Sequence, residues 1–182
     1  MADYLFFSSA LIFWRKFMGH TALKICKVNH EELLNILNEA FAEEWLAYYQ
    51  YWIGAKVAAG PMREEITADF EVHAKEELAH AELIADRIIQ LGGTPILYPS
   101  EWEKYAKCKY DAPIDEYVMT LVAQNLDAER CAIARYQQIC DMTFGKDYET
   151  FKIASHILNE ELEHEQDMED YIKDVEMVKE RL

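Results

Sequence analysis

Glutamate, tyrosine and histidine recur twice in this chain at one spacing, and these residue types can form a metal site. In each half, a glutamate and a tyrosine seven residues later precede a Glu-x-x-His motif. The first set is Glu44, Tyr51, Glu77 and His80, and the second is Glu129, Tyr136, Glu161 and His164. The two glutamates of a set lie 33 residues apart in the first half and 32 in the second. That separation equals about one helix, a turn and half of the next helix, so the pattern predicts two helical hairpins that share a two-metal carboxylate site.

Glu-x-x-His motifs often occur by chance in acidic helices. The position of these residues within apolar stripes therefore decides whether the motifs indicate a buried site. Apolar residues recur every three or four positions in each predicted helix, as expected for a buried stripe. All four stripes are interrupted by the same residue types, at Glu44, Glu77 with His80, Glu129, and Glu161 with His164. The neighbouring Glu43, Glu76 and Glu160 fall off the stripes, so we expect Glu76 and Glu160 to face solvent. The substitutions Glu43→Ala and Glu76→Ala should leave the activity of the metal site almost unchanged.

Charge balance indicates what these six side chains bind. A buried carboxylate without a partner costs several kcal/mol, and no Lys or Arg occupies the stripes at this level. Two divalent ions would supply a charge of +4 against the −4 of four carboxylates. The alternative is a hydrogen-bonded network of carboxyl and imidazole groups without metal.

Four other residues on the stripes have more than one interpretation. The hydroxyls of Tyr51 and Tyr136 suit hydrogen bonds to the ligands or the transient formation of a tyrosyl radical. Ordinary packing is the alternative. The side-chain amide of Asn125 is a candidate hydrogen-bond partner for the ligands, without contact to a metal. His73 is interpreted as a core or outer group rather than as a ligand.

The spacing of turn residues predicts an all-α chain with four long helices. The predicted helices span Asn29 to Gly60, Pro61 to Gly92, Pro113 to Gly145, and Asp147 to near Leu182. Short turns make the first and second helices antiparallel, and likewise the third and fourth. Residues 94–112 contain two prolines and no sustained period, which favours a long crossover that carries the chain to the other end of an antiparallel four-helix bundle.

Residues 1–28 are predicted to form an apolar N-terminal extension, and residues 29–182 the bundle domain. The apolar run from Tyr4 to Trp14 is too short for the roughly 20 residues of a bilayer span. An acid at Asp3 also departs from a secretory signal. We expect the extension to dock on the bundle or on a neighbouring subunit, or Met18 to be the true start, with weak membrane association as the remaining alternative.

Charge and cysteine content exclude several classes of protein. The formal net charge is −16, so we expect no direct nucleic-acid binding and an attraction for small cations. Cysteines occur at Cys26, Cys108, Cys131 and Cys140, without a CxxC motif, which excludes a rubredoxin-like knuckle. Cys131 and Cys140 lie nine residues apart, on opposite sides of one predicted helix, and cannot bond to each other.

The chain resembles the ferritin superfamily from about residue 29 onward. Residues 44–51 (EWLAYYQY), Glu77-x-x-His80 and Glu161-x-x-His164 are similar to the iron-oxidation site of bacterioferritins. Leu78 stands where bacterioferritins have their haem methionine, so we expect no haem. Residues 128–133 (AERCAI), 140–147 (CDMTFGKD) and 160–165 (EELEHE) resemble the Dps-like branch called thioferritins.

This resemblance implies a ferroxidase that oxidises Fe(II), preferably with hydrogen peroxide rather than dioxygen, and stores ferric iron in a cytoplasmic cage. The implied cofactors are two irons per subunit, for which manganese or zinc can substitute. The implied ligands are Glu44, Glu77, His80, Glu129, Glu161 and His164. The implied cage is a dodecamer, and the 18 residues after His164 finish the fourth helix without leaving a fifth.

The resemblance further implies that Cys108 and Cys131 form a cysteine pair near the metals. We expect a redox-active thiol pair there; two unpaired cysteines used as apolar fillers are the alternative. Two other functions also stay open. One is a rubrerythrin-like or manganese-catalase-like peroxide scavenger without mineral storage, and the other is a non-enzymatic helical interaction module.

Overall fold

The computed structural model describes residues 20–181. The apolar run from Tyr4 to Trp14, and Met18, lie outside the described residues. The helices are α1 (His20–Ile25), α2 (His30–Val57), α3 (Arg63–Gln90), α4 (Trp102–Tyr105), α5 (Val118–Thr143) and α6 (Tyr148–Lys179), with a 3₁₀ turn at Pro99–Glu101. Between residues 20 and 181 no strand forms, which confirms the all-α prediction.

The four long helices form two antiparallel hairpins, α2 with α3 and α5 with α6. His30 Nε2, at the start of α2, lies 2.8 Å from the carbonyl oxygen of Leu91, just past the end of α3. The crossover of residues 91–117 then travels the length of the bundle. It ends beside Ala59, at the far end of α2, where Val118 N–H donates to the Ala59 carbonyl over 2.8 Å. The fold is therefore the predicted bundle with its long connection between the second and third long helices.

Local hydrogen bonds set where the long helices begin. The side chain of Asn29 accepts the N–H groups of Glu31 and Glu32 and caps α2, as the sequence predicts. The prediction that the third long helix begins at Pro113 is wrong, because α5 begins at Val118. The chain before it is held extended by a bridge between Ala59 and Tyr117, so helical geometry starts only after that bridge.

The core consists of two apolar clusters with a polar layer between them. One cluster includes Leu33, Leu37, Ile84, Ile88, Tyr136, Ile139 and Ile157, and the other includes Tyr51, Ile66, Phe70, Val118, Val122 and Met168. Burial of these side chains stabilises the bundle by roughly 1.5–3 kcal/mol for each large aliphatic or aromatic group. The apolar clusters exclude water from the layer between them, where the predicted metal ligands lie.

A buried ion pair joins the two hairpins at one end of the bundle. Arg87 on α3 donates to both carboxylate oxygens of Asp147 over 2.8 and 2.7 Å, and to Thr150 Oγ1 over 2.7 Å. Asp147 also caps α6 by accepting the Thr150 N–H. Burial alone would raise the pKa of Asp147, but the hydrogen bonds from Thr150 and Arg87 hold that pKa below its usual value.

We expect Asp147→Ala to lower the free energy of unfolding by about 3–5 kcal/mol, because Arg87 is left buried without its counter-ion. Chemical denaturation of the intact assembly measures this loss. Since the pKa of the carboxyl is lower in the folded state, its contribution is present at neutral pH and is lost as pH falls through the folded pKa. The difference between the wild type and the variant should therefore shrink below about pH 4.

Glu149→Ala removes an exposed acid from the same first turn of α6 and is the matched control. It should change the free energy of unfolding by no more than about 0.5 kcal/mol. Equal losses in the two variants would contradict the assigned role of the Arg87–Asp147 pair.

Candidate metal centre

The structure brings the six predicted ligands together in the polar layer of the core. Each of the four long helices contributes one glutamate, and α3 and α6 each add a histidine one turn later. All six side chains are buried, with no residue more than 3% exposed: Glu44, Glu77, His80, Glu129, Glu161 and His164. Their ligand atoms form two groups, and the atoms of each group lie within 4.8 Å of one another.

The first group is centred on His80. Its Nδ1 lies 3.4 Å from Glu44 Oε2, 3.4 Å from Glu77 Oε2 and 3.2 Å from Glu161 Oε1. Ligand atoms about 2.1 Å from one metal ion are separated by about 3.0–3.4 Å for right-angled to tetrahedral arrangements. The observed separations are thus compatible with one ion held by three oxygens and one nitrogen.

The second group is centred on His164 and shares two carboxylates with the first. His164 Nδ1 lies 3.3 Å from Glu77 Oε1, 3.3 Å from Glu161 Oε2 and 3.8 Å from Glu129 Oε1. Glu77 and Glu161 therefore turn one oxygen towards each histidine, which is the position of a bridging ligand between two ions. Glu44 and Glu129 each belong to one group, so either would contact a single ion.

Unsatisfied polar atoms indicate that this layer fits cations. Glu44 Oε2, Glu77 Oε1, both oxygens of Glu161 and His164 Nδ1 are buried and have no hydrogen-bond partner. They lie close to one another but outside hydrogen-bond geometry, and buried polar atoms normally find partners. Between residues 20 and 181 no Lys or Arg forms an ion pair with these four glutamates. Carboxylate and imidazole donors suit iron, manganese or zinc.

The pKa values show how strongly the carboxylates repel one another. Burial, together with the neighbouring carboxylates, raises the pKa of Glu44 and of Glu129 well above the usual value. Burial opposes ionisation of Glu77 too, but the adjacent imidazoles of His164 and His80 lower its pKa. Burial would lower the pKa values of both histidines, and the surrounding glutamates raise them instead. Protons and metal ions therefore compete for the same positions.

The two tyrosines cross between the hairpins to the terminal carboxylates. Tyr51 on α2 donates its hydroxyl to Glu129 Oε1 on α5, and Tyr136 on α5 donates to Glu44 Oε1 on α2. Burial and the adjacent glutamates raise the pKa of both phenols, so the hydroxyls stay protonated and act as donors. The hydrogen bond to Glu44 Oε1 leaves Oε2, which faces His80, free for a metal, whereas Tyr51 donates to the same Glu129 oxygen that lies 3.8 Å from His164 Nδ1.

The sequence reasoning missed the contacts of Glu76 and Glu160 with the two histidines. The prediction that they face solvent holds only in part: their side chains are 42% and 31% exposed, but Glu160 Oε2 lies 2.7 Å from His80 Nε2, and Glu76 Oε2 lies 3.0 Å from His164 Nε2. Each carboxylate reaches across to the histidine of the other helix and orients that imidazole. A signal was present in the sequence, because an acid directly precedes the ligand glutamate in both Glu-x-x-His motifs.

Glu43 is buried, although it falls off the apolar stripe of its helix. Arg135 donates to both of its carboxylate oxygens over 2.8 and 2.9 Å. The N–H groups of Lys107 and Cys108 donate to Glu43 Oε1 over 2.8 and 3.3 Å. Glu43 therefore anchors the crossover to α2, a role that the period of a single helix cannot reveal.

His73 and Asn125 take different positions relative to the ligands. His73 is buried and stacks on His164 with ring centroids 4.1 Å apart. Asn125 Oδ1 accepts from Gln50 Nε2 over 3.0 Å, and Gln50 in turn accepts the Asp111 N–H. Asn125 thus supports the crossover, and its hydrogen bond among the described residues is to Gln50.

Cys108 in the crossover and Cys131 on α5 are joined by a disulfide. Their Cα atoms lie 5.7 Å apart, within the 4.4–6.8 Å typical of disulfides. Cys26 and Cys140 are free thiols. A cavity of about 30 Å³ beneath the crossover is lined by Cys108 and by three of the ligand glutamates, Glu44, Glu77 and Glu129. The cavity can hold a water-sized molecule next to both the disulfide and the carboxylates.

An antiparallel bundle of four long helices with a carboxylate and histidine cluster in its core defines a ferritin-like protein. The model of the ferritin-like domain matches residues 34–178, and the chain belongs to this family. Among residues 20–181, none of the helices contains an apolar stretch sufficient for a transmembrane span.

Comparisons with individual proteins confirm the resemblance to the Dps-like, thioferritin branch. The DNA protection during starvation protein of Pyrococcus furiosus is 38% identical over 140 residues, which cover 76% of this chain and 75% of that protein. The bacterioferritin-related protein of Bacteroides fragilis, a dodecameric thioferritin, is 52% identical with a TM-score of 0.88, over 90% of this chain and 98% of that chain. Dps from Thermosynechococcus elongatus, at 18% identity and a TM-score of 0.74, covers 78% of this chain and 90% of its own and shares the fold.

The contacts of Glu76 and Glu160 predict a measurable effect on metal affinity. We expect the double variant Glu76→Gln, Glu160→Gln to bind Zn(II) about 10–100-fold more weakly, because neutral amides orient the two imidazoles less firmly. The number of ions bound per subunit should stay the same, since the six ligand side chains remain. Equilibrium dialysis with metal analysis measures both quantities.

Glu82→Gln is the matched control, because Glu82 is an exposed acid on the same helix as Glu76. It should leave Zn(II) affinity unchanged. Wild-type affinity in the double variant would show that the two carboxylates do not orient the histidines.

Proposed function

We propose that the protein is a ferroxidase that oxidises two Fe(II) ions per subunit, prefers hydrogen peroxide as the oxidant and retains the ferric product inside a cage. One observation carries this proposal: the two ligand groups overlap and share Glu77 and Glu161. Two ions bound in this way are adjacent, and each can donate one electron to the same oxidant. The proposed ligands are Glu44, Glu77, His80, Glu129, Glu161 and His164.

The stoichiometry explains why paired irons suit peroxide. Two Fe(II), one hydrogen peroxide and two protons give two Fe(III) and two water molecules, so two electrons and the O–O bond are accounted for in one event. A single Fe(II) would transfer one electron and release a hydroxyl radical. The cavity beneath the crossover has room for one small molecule beside three ligand glutamates, which supports a small oxidant as the co-substrate.

Charge also supports turnover rather than permanent binding. Four carboxylates balance two Fe(II), whereas two Fe(III) carry two additional positive charges that these ligands do not match. The ligands therefore neutralise two Fe(III) less completely than two Fe(II). Release of Fe(III) to the store removes this excess positive charge. The formal net charge of −16 attracts replacement Fe(II).

The proposed assembly is a shell of twelve subunits. The Bacteroides fragilis protein, 52% identical to this chain, is described as dodecameric, and this similarity supports the same assembly here. The Pyrococcus furiosus relative is named for DNA protection. For this chain we propose protection through removal of peroxide and Fe(II), because the acidic charge opposes direct contact with DNA.

We expect Glu77→Ala to abolish rapid peroxide-driven Fe(II) oxidation, because this change removes an oxygen from both metal positions. Glu44→Ala should retain part of the activity, since it removes an oxygen from the His80 group alone. Stopped-flow absorbance of Fe(III) formation, with two Fe(II) per subunit and limiting peroxide, measures both. Native mass should show twelve subunits in the wild type and in each variant, because these substitutions delete buried charge.

Wild-type kinetics in Glu77→Ala would contradict the ligand assignment. Iron retained after the reaction separates the alternatives. Turnover of peroxide without retained iron would indicate a rubrerythrin-like or catalase-like scavenger, and metal content near zero would indicate a non-enzymatic helical module.

We further propose that the Cys108–Cys131 pair exchanges electrons with the iron centre or with an external dithiol in the cytoplasm. The geometry supports this role, because Cys108 and three ligand glutamates line the same cavity. Two thiols can reduce two Fe(III) to two Fe(II), forming the disulfide and releasing two protons. The tyrosines Tyr51 and Tyr136 are proposed to position the terminal carboxylates and, briefly, to supply an electron.

We expect the double variant Cys108→Ser, Cys131→Ser to oxidise Fe(II) at the wild-type rate and to release stored iron more slowly. The measurement follows Fe(II) captured by a chelator after addition of a dithiol reductant. Cys26→Ser is the control, because Cys26 is a free thiol outside the disulfide. Equal release rates in all three proteins would refute a redox role for the pair.

A further inference from the structure

The crossover segment that carries Cys108 is fixed to the bundle by a buried carboxylate as well as by its disulfide. Glu43 Oε1 on α2 accepts the N–H of Lys107 over 2.8 Å and the N–H of Cys108 over 3.3 Å. Glu43 is only 5% exposed, so the accepting carboxylate is shielded from water. Because these hydrogen bonds join main-chain N–H groups to a side chain of α2, neither of them depends on the bond between the sulfur atoms.

Arg135 ties the same carboxylate to the helix that carries the other cysteine. It donates to both oxygens of Glu43 over 2.8 and 2.9 Å, and it is also buried. Arg135 lies four residues after Cys131 on α5, on the same face of that helix. The contacts from the Cys108 N–H through Glu43 to Arg135 therefore form a second connection between the two cysteines, in addition to the disulfide.

The charges of this connection are balanced within it, unlike those of the metal centre. Arg135 Nη1 lies 3.0 Å from Glu39 Oε2, and Lys107 Nζ lies 2.9 Å from the same atom. Two cations therefore face the two carboxylates of Glu39 and Glu43. Breaking a buried ion pair is costly because it leaves a charge without its partner. The connection should therefore persist whether the two cysteines are oxidised or reduced.

Reduction of a disulfide normally lets its two thiols separate, because the segment between them regains conformational freedom. Here Cys108 and Cys131 are 23 residues apart in the sequence, but the main chain is anchored at Cys108 itself. We propose that Glu43 and Arg135 are positioning residues for thiol–disulfide exchange: they hold Cys108 beside Cys131 after reduction, so that the bond re-forms without movement of the crossover. Thiols held in this way react at a high effective concentration, which shifts the equilibrium towards the disulfide.

The exchange itself requires an external dithiol, the class of reductant proposed above for this pair. One dithiol gives two electrons and two protons to the disulfide, which yields two protein thiols and one oxidised dithiol. Glu43 and Arg135 take no part in this transfer and act only on the position of Cys108. A pair that favours the disulfide is the stronger reductant, as the reduction of Fe(III) requires. This role rests on the proposed exchange of electrons between the cysteine pair and iron.

Equilibration with a dithiol measures the effect of the two positioning residues. Iron-free assembled protein is equilibrated with mixtures of reduced and oxidised dithiothreitol, quenched in acid and alkylated, and peptide masses give the reduced fraction of Cys108. In Glu43→Ala, the equilibrium constant for disulfide formation should fall about 10-fold or more, as expected when hydrogen bonds to a charged acceptor are lost. Each tenfold fall raises the reduction potential by about 30 mV. An unchanged constant would overturn the proposal.

Glu43→Ala leaves Arg135 buried with one counter-ion fewer, so the double variant Glu43→Ala, Arg135→Met, which removes both charges, is measured beside it and should show the same fall. Glu103→Gln is the matched control, because it removes an exposed acid from the crossover, and it should leave the constant unchanged. Asp147→Ala, which breaks the Arg87–Asp147 pair at one end of the bundle, should also leave it unchanged. A fall in Asp147→Ala as large as in Glu43→Ala would show that general destabilisation, rather than positioning, moves the equilibrium.

A crystal structure of the dithiol-reduced protein tests the same proposal by position. The Cα atoms of Cys108 and Cys131 should stay near their separation of 5.7 Å, with both main-chain hydrogen bonds to Glu43 retained. A crossover that leaves Glu43 on reduction would overturn the proposal. A shifted equilibrium in Glu43→Ala, together with wild-type release of stored iron in Cys108→Ser, Cys131→Ser, would instead refute the redox role of the pair and leave the positioning role intact.

Discussion

Repulsion among four carboxylates in the middle of a bundle core is the constraint on which the rest of the structure depends. Two apolar clusters, one on each side of this layer, exclude the water that would otherwise solvate the charges. Glu44 and Glu129 respond with raised pKa values, and His80 and His164 are driven towards their protonated forms. The charges of this layer are therefore neutralised only by cations, whether protons or divalent metals. Its affinity for metal arises because unneutralised carboxylates in the core repel one another.

Four of the six candidate ligands are oriented by the hairpin to which they do not belong. Tyr51 on the first hairpin donates to Glu129 on the second, and Tyr136 on the second hairpin donates to Glu44 on the first. The outer carboxylates cross in the same way between α3 and α6, from Glu160 to His80 and from Glu76 to His164. The arrangement of the candidate ligands is thus a property of the docked pair of hairpins. The buried Arg87–Asp147 pair, the Glu43–Arg135 pair and the Cys108–Cys131 disulfide all hold that docking.

The two sides of the centre differ in chemistry. Beneath the crossover, the disulfide, Glu43 and a cavity of about 30 Å³ make a narrow, covered approach. On the α3–α6 side, Glu76 and Glu160 are half-buried, and Asp167 is exposed without a basic partner. A small uncharged molecule suits the covered side, because its passage requires no counter-charge. A cation suits the acidic side, where carboxylates replace part of its hydration shell.

The period of apolar residues determined much of this protein without reference to its tertiary structure. Because side chains three and four positions apart share a helix face, the acids that interrupt the stripes had to meet in one layer, and the structure brings Glu44, Glu77, Glu129 and Glu161 together there. The Asn29 cap and the long crossover were likewise predicted from the sequence, because helix capping and turn formation depend on neighbouring residues. Periodicity describes one helix at a time, however, and cannot say what approaches its flanks.

Only the tertiary structure decided the remaining features. Glu76 and Glu160 leave their own stripes but point at a histidine on the neighbouring helix, and Glu43 meets Arg135 from α5. The start of α5 at Val118 depends on Ala59, almost sixty residues away. The bond between Cys108 and Cys131 depends on the path of the crossover over α5. Each of these contacts joins segments distant in sequence, so their geometry exists only after the hairpins have packed.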